Sequence, residues 1–173
     1  HFRVLGRRTG DGVSWTEHAS GSIRAVESGS ETLDLPAIRQ RCPLPSRSLI
    51  EPTPQLRFGP RWQVVTQSLL GTNEALLSLR LPARFADDLA TVELHPALLD
   101  MATAGAQELI GGRDPATDFY APLAYRRCTL HAPLPAEIVS HIRWHAPERE
   151  GQNTAVFSVT IADPAGRVLV EIE

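Results

Sequence analysis

The sequence predicts an α+β fold in which an antiparallel sheet covers one long buried helix. Residues 96–107 carry a single charged side chain, and their apolar residues would cover every side of a helix. The segments before and after this stretch alternate apolar and polar side chains with the period of two that is typical of strands. Short runs rich in Gly, Asn, Asp and Pro separate those segments, as in antiparallel hairpins.

The first 25 residues predict a hairpin. Phe2–Leu5 and Val13–Ala25 have strand-like patterns, and the turn-forming residues 9–12 separate them. A single hairpin is only marginally stable in water, so we expect it to pack against another part of the fold.

Residues 26–56 have the composition of a linker, with many serines and prolines. Asp34, followed by Pro36, predicts the start of a short helix that ends before Pro43. Connectors of this length usually lie over the surface of the units they join.

Strand patterns return after Trp62. Gln63–Leu70 and Glu74–Leu81 flank the turn-forming Gly71–Asn73 and predict a second hairpin. Arg84–Glu93 is expected to be a loop. The C-terminal part predicts strands at Phe119–Ala132, Ile138–His145, Thr154–Ala162 and Arg167–Glu173, of which the last two form a hairpin around 163–166 with one face toward solvent.

The predicted buried helix runs from Pro96 to about Ile110. Proline is tolerated in a first helical turn, His95 before it could cap or pack, and Gly111 begins the glycine pair that ends the helix. An ionised carboxylate is costly in such surroundings, so Asp100 is expected to be paired, strongly hydrogen-bonded or partly neutral. A carboxylic acid in that state can donate a proton near neutral pH. The alternatives are that Asp100 caps a local turn or faces solvent.

Composition limits the function classes. The 173 residues are 42% hydrophobic and 21% charged with a net charge of −3, which fits one ordinary globular unit and gives no electrostatic reason to expect nucleic acid or an anionic membrane. Cys42 and Cys128 have no metal-type spacing, and each is expected to be a buried or half-buried thiol.

No signal peptide or membrane span is evident, so a cytoplasmic location is expected. Because Met101 is the sole methionine and the last strand pattern stops without a terminator, we expect a piece of a longer polypeptide.

Four segments resemble motifs of one enzyme family, in that family's order and at about its spacing. His95–Asp100 (His-Pro-Ala-Leu-Leu-Asp) resembles the second catalytic motif of the dehydratase domains of type I modular polyketide synthases. The other three are similar to that family's Tyr-Gly-Pro-x-Phe motif, its Trp-x-x-His-Ala-x-Gly strand and the short helix of its inter-repeat linker; they are residues 58–63, 15–21 and 34–43. The likeness covers nearly the whole chain. Within the family, the sequence resembles lipid-making synthases of the phthiocerol-synthesis kind.

The resemblance implies a double hotdog, each half an antiparallel sheet around a helix. Residues 1–25 would be the last strands of the first hotdog, 26–56 the linker and 57–173 the second hotdog. The family removes water from a β-hydroxyacyl thioester carried on the phosphopantetheine of an acyl carrier protein. A histidine of the first hotdog takes the α-proton and an aspartate of the second protonates the departing hydroxyl; Asp100 matches that acid.

This chain departs from the family pattern in three ways. None of its six histidines fits the family's His-x-x-x-Gly-x-x-x-x-Pro motif, so the catalytic histidine is expected outside this chain and the 173 residues alone are expected to be inactive. Phe58 replaces the motif tyrosine. Ala104 stands four residues after Asp100, where the family commonly has Gln or His, and Gln107, two turns on, is an alternative partner for the acid.

The substrate-binding candidates follow from the same resemblance. We expect Phe58 to form a pocket wall and Trp62 to pack in the core, and the full binding set is Phe58, Gly59, Pro60, Leu99, Ala104 and Gln107. The implied domain needs no metal or cofactor of its own. Its expected partners are an acyl carrier protein, neighbouring synthase domains, the first-hotdog half and a second copy in a homodimer.

Three other functions remain open from the sequence. A dehydratase-like module without activity could act as a scaffold or dimerisation unit, which the changes at positions 58 and 104 favour. A double-hotdog cyclase or isomerase would use the same acid-bearing helix.

Overall fold

The computed structural model describes residues 1–8, 14–26, 29, 31–46, 58–111, 118, 120–145 and 154–173. Nine strands form two separate sheets in this part of the chain. The strands are β1 (Phe2–Arg8), β2 (Ser14–Gly21), β3 (Leu44–Ser46), β4 (Val65–Leu70), β5 (Glu74–Arg80), β6 (Cys128–Leu130), β7 (Glu137–His145), β8 (Val156–Ala162) and β9 (Val168–Ile172). The α-helices are α1 (Leu35–Arg41) and α2 (Pro96–Ala104), and 3₁₀ turns lie at Pro60–Trp62, Ala83–Ala90 and Gly105–Leu109.

The larger sheet has seven antiparallel strands in the order β3-β4-β5-β7-β8-β9-β6. Both hairpins predicted for it, β4–β5 and β8–β9, are confirmed. In the second one Asp163 Oδ1 accepts hydrogen bonds from the backbone N–H groups of Ala165 and Arg167. Gly166 turns the chain with a φ of 93°, a conformation in which glycine carries no Cβ penalty.

The two helices lie on opposite faces of this sheet, because successive strand residues point to alternate sides. On one face the main core packs α2 against the sheet through Leu77, Ile138 and Ile142 among others. Buried Ser140 also donates a hydrogen bond of 2.7 Å to the backbone carbonyl of Ala102 in α2. On the other face a smaller cluster packs α1 against Leu76, Val139 and Ala162. The predicted α+β class, with a helix against an antiparallel sheet, is confirmed.

Helix α2 differs from its prediction in burial and length. It buries one side through Ala97, Leu98, Met101 and Ala102 but leaves Asp100 exposed, so the expectation of burial on every side is wrong. The reason is that the described sheet covers only one side of the helix. The α-helix also ends at Ala104 and continues as the 3₁₀ turn.

Gly105 lies where α2 becomes the 3₁₀ turn and approaches the sheet closely. A Cβ at this position would lie 2.6 Å from Leu77 Cδ1 and 2.9 Å from Ile142 Cδ1. Glycine therefore permits the close packing and also weakens the α-helix locally.

The linker prediction is confirmed for its helix and incomplete for the rest. Asp34 caps α1 by accepting a hydrogen bond from Ala37 N at 3.0 Å, and Pro36 lies in its first turn. Strand β3, absent from the prediction, adds residues 44–46 to the edge of the main sheet. Its central Pro45 lacks an N–H, which is tolerated in an edge strand. Proline also argues against a strand in sequence analysis, so β3 was not predicted. Residues 47–57 lie outside the described residues.

Three further expectations need correction. The predicted loop 84–93 contains the 3₁₀ turn Ala83–Ala90. Of the strand predicted over 119–132, only β6 forms within the described residues. The backbone N–H groups of Arg126 and Arg127 both donate to the carbonyl of Glu173, and this shared acceptor interrupts the regular pairing of β6 with β9. Cys128 is exposed, in contrast to Cys42, which is buried as expected.

The N-terminal hairpin forms a sheet of its own. Strands β1 and β2 pair antiparallel as predicted, and the turn at 9–12 lies outside the described residues. The expected packing against another part of the fold is not seen within the described ranges, where four of its apolar side chains are exposed: Phe2, Val4, Leu5 and Trp15. No described helix is long and apolar enough to cross a bilayer.

Candidate active site

The structure brings together two of the motifs that the sequence singled out. The chain is extended at Gly59, Pro60 starts the 3₁₀ turn, and the N–H of Trp62 closes it on the carbonyl of Gly59 at 2.9 Å. This turn contacts α2 near the middle of the helix. There the indole Nε1 of Trp62 donates a hydrogen bond of 2.7 Å to Oδ2 of Asp100.

Asp100 lies on the side of α2 that faces away from the sheet. It is exposed in this chain, so the expected burial of its carboxylate is wrong, whereas the expectation of a strong hydrogen bond is met by Trp62. Helical spacing explains the exposure, because residues 97, 98, 101 and 102 share the face against the sheet and position 100 does not. Thr103 Oγ1 donates a hydrogen bond of 2.8 Å to the backbone carbonyl of Asp100, not to its carboxylate.

A polar network connects the 3₁₀ turn Pro60–Trp62 to the start of α2. Arg61 Nε lies 2.7 Å from Oδ2 of Asp88, and buried His95 places its Nε2 3.3 Å from the same oxygen. The Arg61 guanidinium, and after it His95, hold the pKa of the Asp88 carboxyl below its usual range. The guanidinium carbon of Arg61 also stacks over the ring of Phe85, 4.3 Å from its centroid. His95 thus packs at the helix start, one of its two expected roles, and its side chain makes no capping hydrogen bond.

The remaining predicted site residues lie around Asp100 with different exposures. Phe58, Gly59 and Pro60 are exposed at the approach to the 3₁₀ turn, with Phe58 46% exposed. Leu99 and Ala104 are half-buried against the main core. Gln107 is half-buried and lies in the 3₁₀ segment that follows α2.

Sequence reasoning missed two neighbours of the acid. Trp62 packs against the main core as expected, but its indole N–H also donates to Asp100. A partly buried indole N–H normally has a hydrogen-bond acceptor, and this rule could have indicated a polar partner for Trp62. Tyr125 lies in a segment predicted as plain strand. Partial desolvation raises the pKa of the Tyr125 hydroxyl, although 56% of the residue is exposed, and the negative charge of Asp100 raises it further. No sequence pattern indicated this proximity.

A second polar cluster lies on the opposite face of the sheet, beside α1. Arg41 binds both carboxylate oxygens of Glu74 at 2.7 and 3.0 Å, and His141 Nε2 lies 2.7 Å from Oε2. Arg41 above all lowers the pKa of Glu74, while burial lowers the pKa of His141. Burial raises the pKa of the adjacent Cys42 to about 11, which makes it a poor nucleophile.

The α1 side also carries a cavity of about 690 Å³, and none of the predicted site residues lines it. Its wall combines the end of α1 with the β4–β5 turn and the end of β7 through Arg41, Thr72, Asn73, Glu74, Arg143, Trp144 and His145. The described residues contain no cluster of His, Cys, Asp and Glu that could hold a metal ion.

Solved structures similar to this chain are dehydratase domains with the hotdog fold. The domain from the CurF module of the curacin polyketide synthase superposes with a TM-score of 0.78 at 23% identity, covering 93% of this chain and 57% of that one. The CurK domain of the same synthase gives 0.77 at 25% identity, covering 99% and 60%. A trans-AT polyketide synthase dehydratase from Brevibacillus brevis gives 0.79 at 21% identity, covering 92% and 57%. The chain therefore has the hotdog fold and spans about three-fifths of these domains.

Sequence comparison gives the same family. Polyketide synthase PksM of Bacillus subtilis (strain 168) is 24% identical over 168 residues, which cover 91% of this chain and 4% of PksM. The family described as "Polyketide synthase dehydratase N-terminal domain" matches residues 31–173. That match includes the 3₁₀ turn, α2 and the whole seven-stranded sheet. The chain belongs to the polyketide synthase dehydratase family.

Proposed function

We propose that this chain is part of a dehydratase that removes water from a β-hydroxyacyl thioester, with Asp100 as the general acid. The observation that carries the proposal is the Trp62–Asp100 hydrogen bond, which leaves one carboxyl oxygen on the exposed side of α2. Among solved relatives, a CurK dehydratase in which an aspartate is replaced by asparagine is described as an inactive mutant. A CurK dehydratase with a histidine replaced by phenylalanine is described in the same way.

The proposed reaction needs one base and one acid. The base, a histidine outside these residues, takes the α-proton, and the electron pair of that C–H bond forms the new double bond. The C–O bond to the β-carbon breaks as Asp100 gives its proton to the departing hydroxyl, which leaves as water. Hydroxide is a poor leaving group near pH 7, so general-acid help of about 10²–10⁴-fold is the expected contribution.

The domain assignment is part of this proposal. Residues 57–173 would be the second hotdog of the pair, residues 1–25 the end of the first, and 26–56 the linker. Because this chain spans 57% and 60% of the CurF and CurK dehydratase chains, we propose that the exposed side of α2 faces the missing half. The substrate would arrive on the phosphopantetheine of an acyl carrier protein. No cofactor of the domain itself is required.

The experiment compares two aspartates in the intact synthase polypeptide, supplied with a β-hydroxyacyl thioester. Asp100→Asn is expected to lower the elimination rate by about 10²–10⁴-fold, because an amide cannot donate the proton at that step. Asp87→Asn is the matched control, since Asp87 is an exposed aspartate in the nearby 3₁₀ turn with no role in the proposal. Full rate in Asp100→Asn would remove Asp100 from the chemistry.

A companion assay uses the 173 residues alone. Because the base is proposed to lie elsewhere, the isolated chain should bind the thioester but not dehydrate it. Mass spectrometry checks this, since dehydration lowers the mass of the thioester by one water. Turnover by the isolated chain would contradict the proposed division of labour. A cyclised product, or a product with a moved double bond, would instead identify a cyclase or an isomerase.

A further inference from the structure

We infer that Trp62 is a positioning residue, whose indole N–H fixes one carboxyl oxygen of Asp100 and leaves the other free to deliver the proton. This inference rests on the proposed function of Asp100. The direct observation is the 2.7 Å distance from Trp62 Nε1 to Asp100 Oδ2. Trp62 is the one side chain within the described residues that donates a hydrogen bond to this carboxylate.

The helix itself offers Asp100 no substitute donor. Side chains four residues apart lie on the same face of a helix, and the residue at that distance is Ala104, which has no polar atom. The hydroxyl of Thr103, the nearest polar side chain along α2, is already committed to the backbone carbonyl of Asp100. The orientation of the carboxyl therefore depends on a residue 38 positions earlier in the chain.

The donor is itself held in place. The ring of Trp62 is half-buried and packs against the main core. Its neighbour Arg61 ties the turn to Asp88, which also meets His95 at the start of α2. Tryptophan has two side-chain torsions and a single N–H, so a ring clamped in this way presents one donor in one direction.

The chemical consequence concerns both states of the acid. While Asp100 holds its proton on Oδ1, the Trp62 N–H occupies Oδ2 and keeps the carboxyl from rotating. When the proton has left with the hydroxyl, the same N–H donates to a carboxylate, and hydrogen bonds to ionised acceptors are roughly twice as strong as neutral ones. The contact therefore strengthens as the reaction proceeds, which affects kcat more than KM.

The test measures kcat and KM of the intact synthase polypeptide with a β-hydroxyacyl thioester. Trp62→Phe should lower kcat by about 10-fold with little change in KM, the effect of losing one hydrogen bond to a charged group. Replacing Trp62 with 3-benzothienylalanine, which keeps the ring shape and exchanges the N–H for sulfur, should give the same loss if Phe disturbs folding. Trp144→Phe is the matched control: this half-buried tryptophan packs on the same core, and its Nε1 has no partner within the described residues.

Two double variants separate positioning from packing. Ala104→Gln added to Trp62→Phe should recover part of kcat, because an amide one helical turn away can reach the carboxyl. Trp62→Phe added to Asp100→Asn should cost nothing further, since residues that act through one another are not additive.

Two results overturn the inference: Trp62→Phe as active as Trp144→Phe, or a further loss when it is added to Asp100→Asn. Either result leaves the proposed function of Asp100 standing, whereas full rate in Asp100→Asn would remove Asp100 from the chemistry and this inference with it.

Discussion

Two carboxylates on opposite sides of the seven-stranded sheet, Glu74 in β5 and Asp100 in α2, have different surroundings. On the α1 face, Glu74 is 18% exposed at its side chain and is bound by Arg41 and His141. On the α2 side, Asp100 is exposed, and within the described residues its carboxylate accepts a hydrogen bond from one neutral donor, Trp62. The guanidinium of Arg41 lowers the pKa of Glu74 and so opposes its protonation, whereas no guanidinium pairs with Asp100 within the described residues. Glu74 therefore belongs to an ion-paired network, whereas Asp100 is the carboxylate to which the proposed function assigns the proton transfer.

The largest expected difference in stability between the faces comes from their leucines. Leu98→Ala on the α2 face should lower the free energy of unfolding by about 3–5 kcal/mol, because the large core around it cannot collapse into the cavity. Leu76→Ala on the α1 face should cost about 2–3 kcal/mol, since one short helix covers it and can move inward. Urea unfolding of the two variants measures both values. Equal losses would mean that the faces are equally rigid.

A smaller effect tests the polar link between sheet and helix. Ser140→Ala should lower the free energy of unfolding by about 1–2 kcal/mol, because it removes the buried bond to the Ala102 carbonyl. Ser68 is the matched control: it is equally buried, but its hydroxyl has no partner within the described residues. Ser68→Ala should be neutral or slightly stabilising in the same unfolding experiment. A larger loss at Ser68 than at Ser140 would contradict the assignment of the link.

The smallest expected effect is a pH dependence that belongs to the α1 face. Burial holds the pKa of His141 below 6.5 although Glu74 beside it raises that pKa, and the positive charges of Arg143 and Arg41 lower it further. The unfolded chain therefore takes up the proton first, and stability is lost as the pH falls below 6.5 toward the folded pKa. The pKa of Glu74 is also lowered, so its share of stability is present above pH 4.5 and is lost on further acidification.

The measurement is the free energy of unfolding between pH 7.5 and about 5. His141→Gln should flatten the decline near pH 6, because the buried imidazole is gone. His145→Gln is the control, since that exposed ring pairs with the hydroxyl of Ser158 and, within the described residues, with no carboxylate. An unchanged slope in His141→Gln would assign the decline to another group.

Much of the fold could be predicted because its signals are local. The Asp34 cap, the hairpin turns at 71–73 and 163–166 and the start of α2 at Pro96 each depend on residues within one turn of the feature, and all were predicted correctly. Strand β3 and the shortened β6 could not be predicted, because each is an edge strand that forms only by pairing with a strand distant in the sequence. Apolar composition also overestimated the burial of α2, since it cannot tell how many sides of a helix are covered.

The amino-acid sequence by itself determined the class of the fold, the helix that carries Asp100 and the nature of that residue, because periodicity and capping are properties of neighbouring residues. The tertiary structure alone decided which residue holds the carboxyl group. Trp62 and Asp100 are separated by two strands and a 3₁₀ turn, and only packing of the sheet against α2 places the indole N–H within 2.7 Å of the acid.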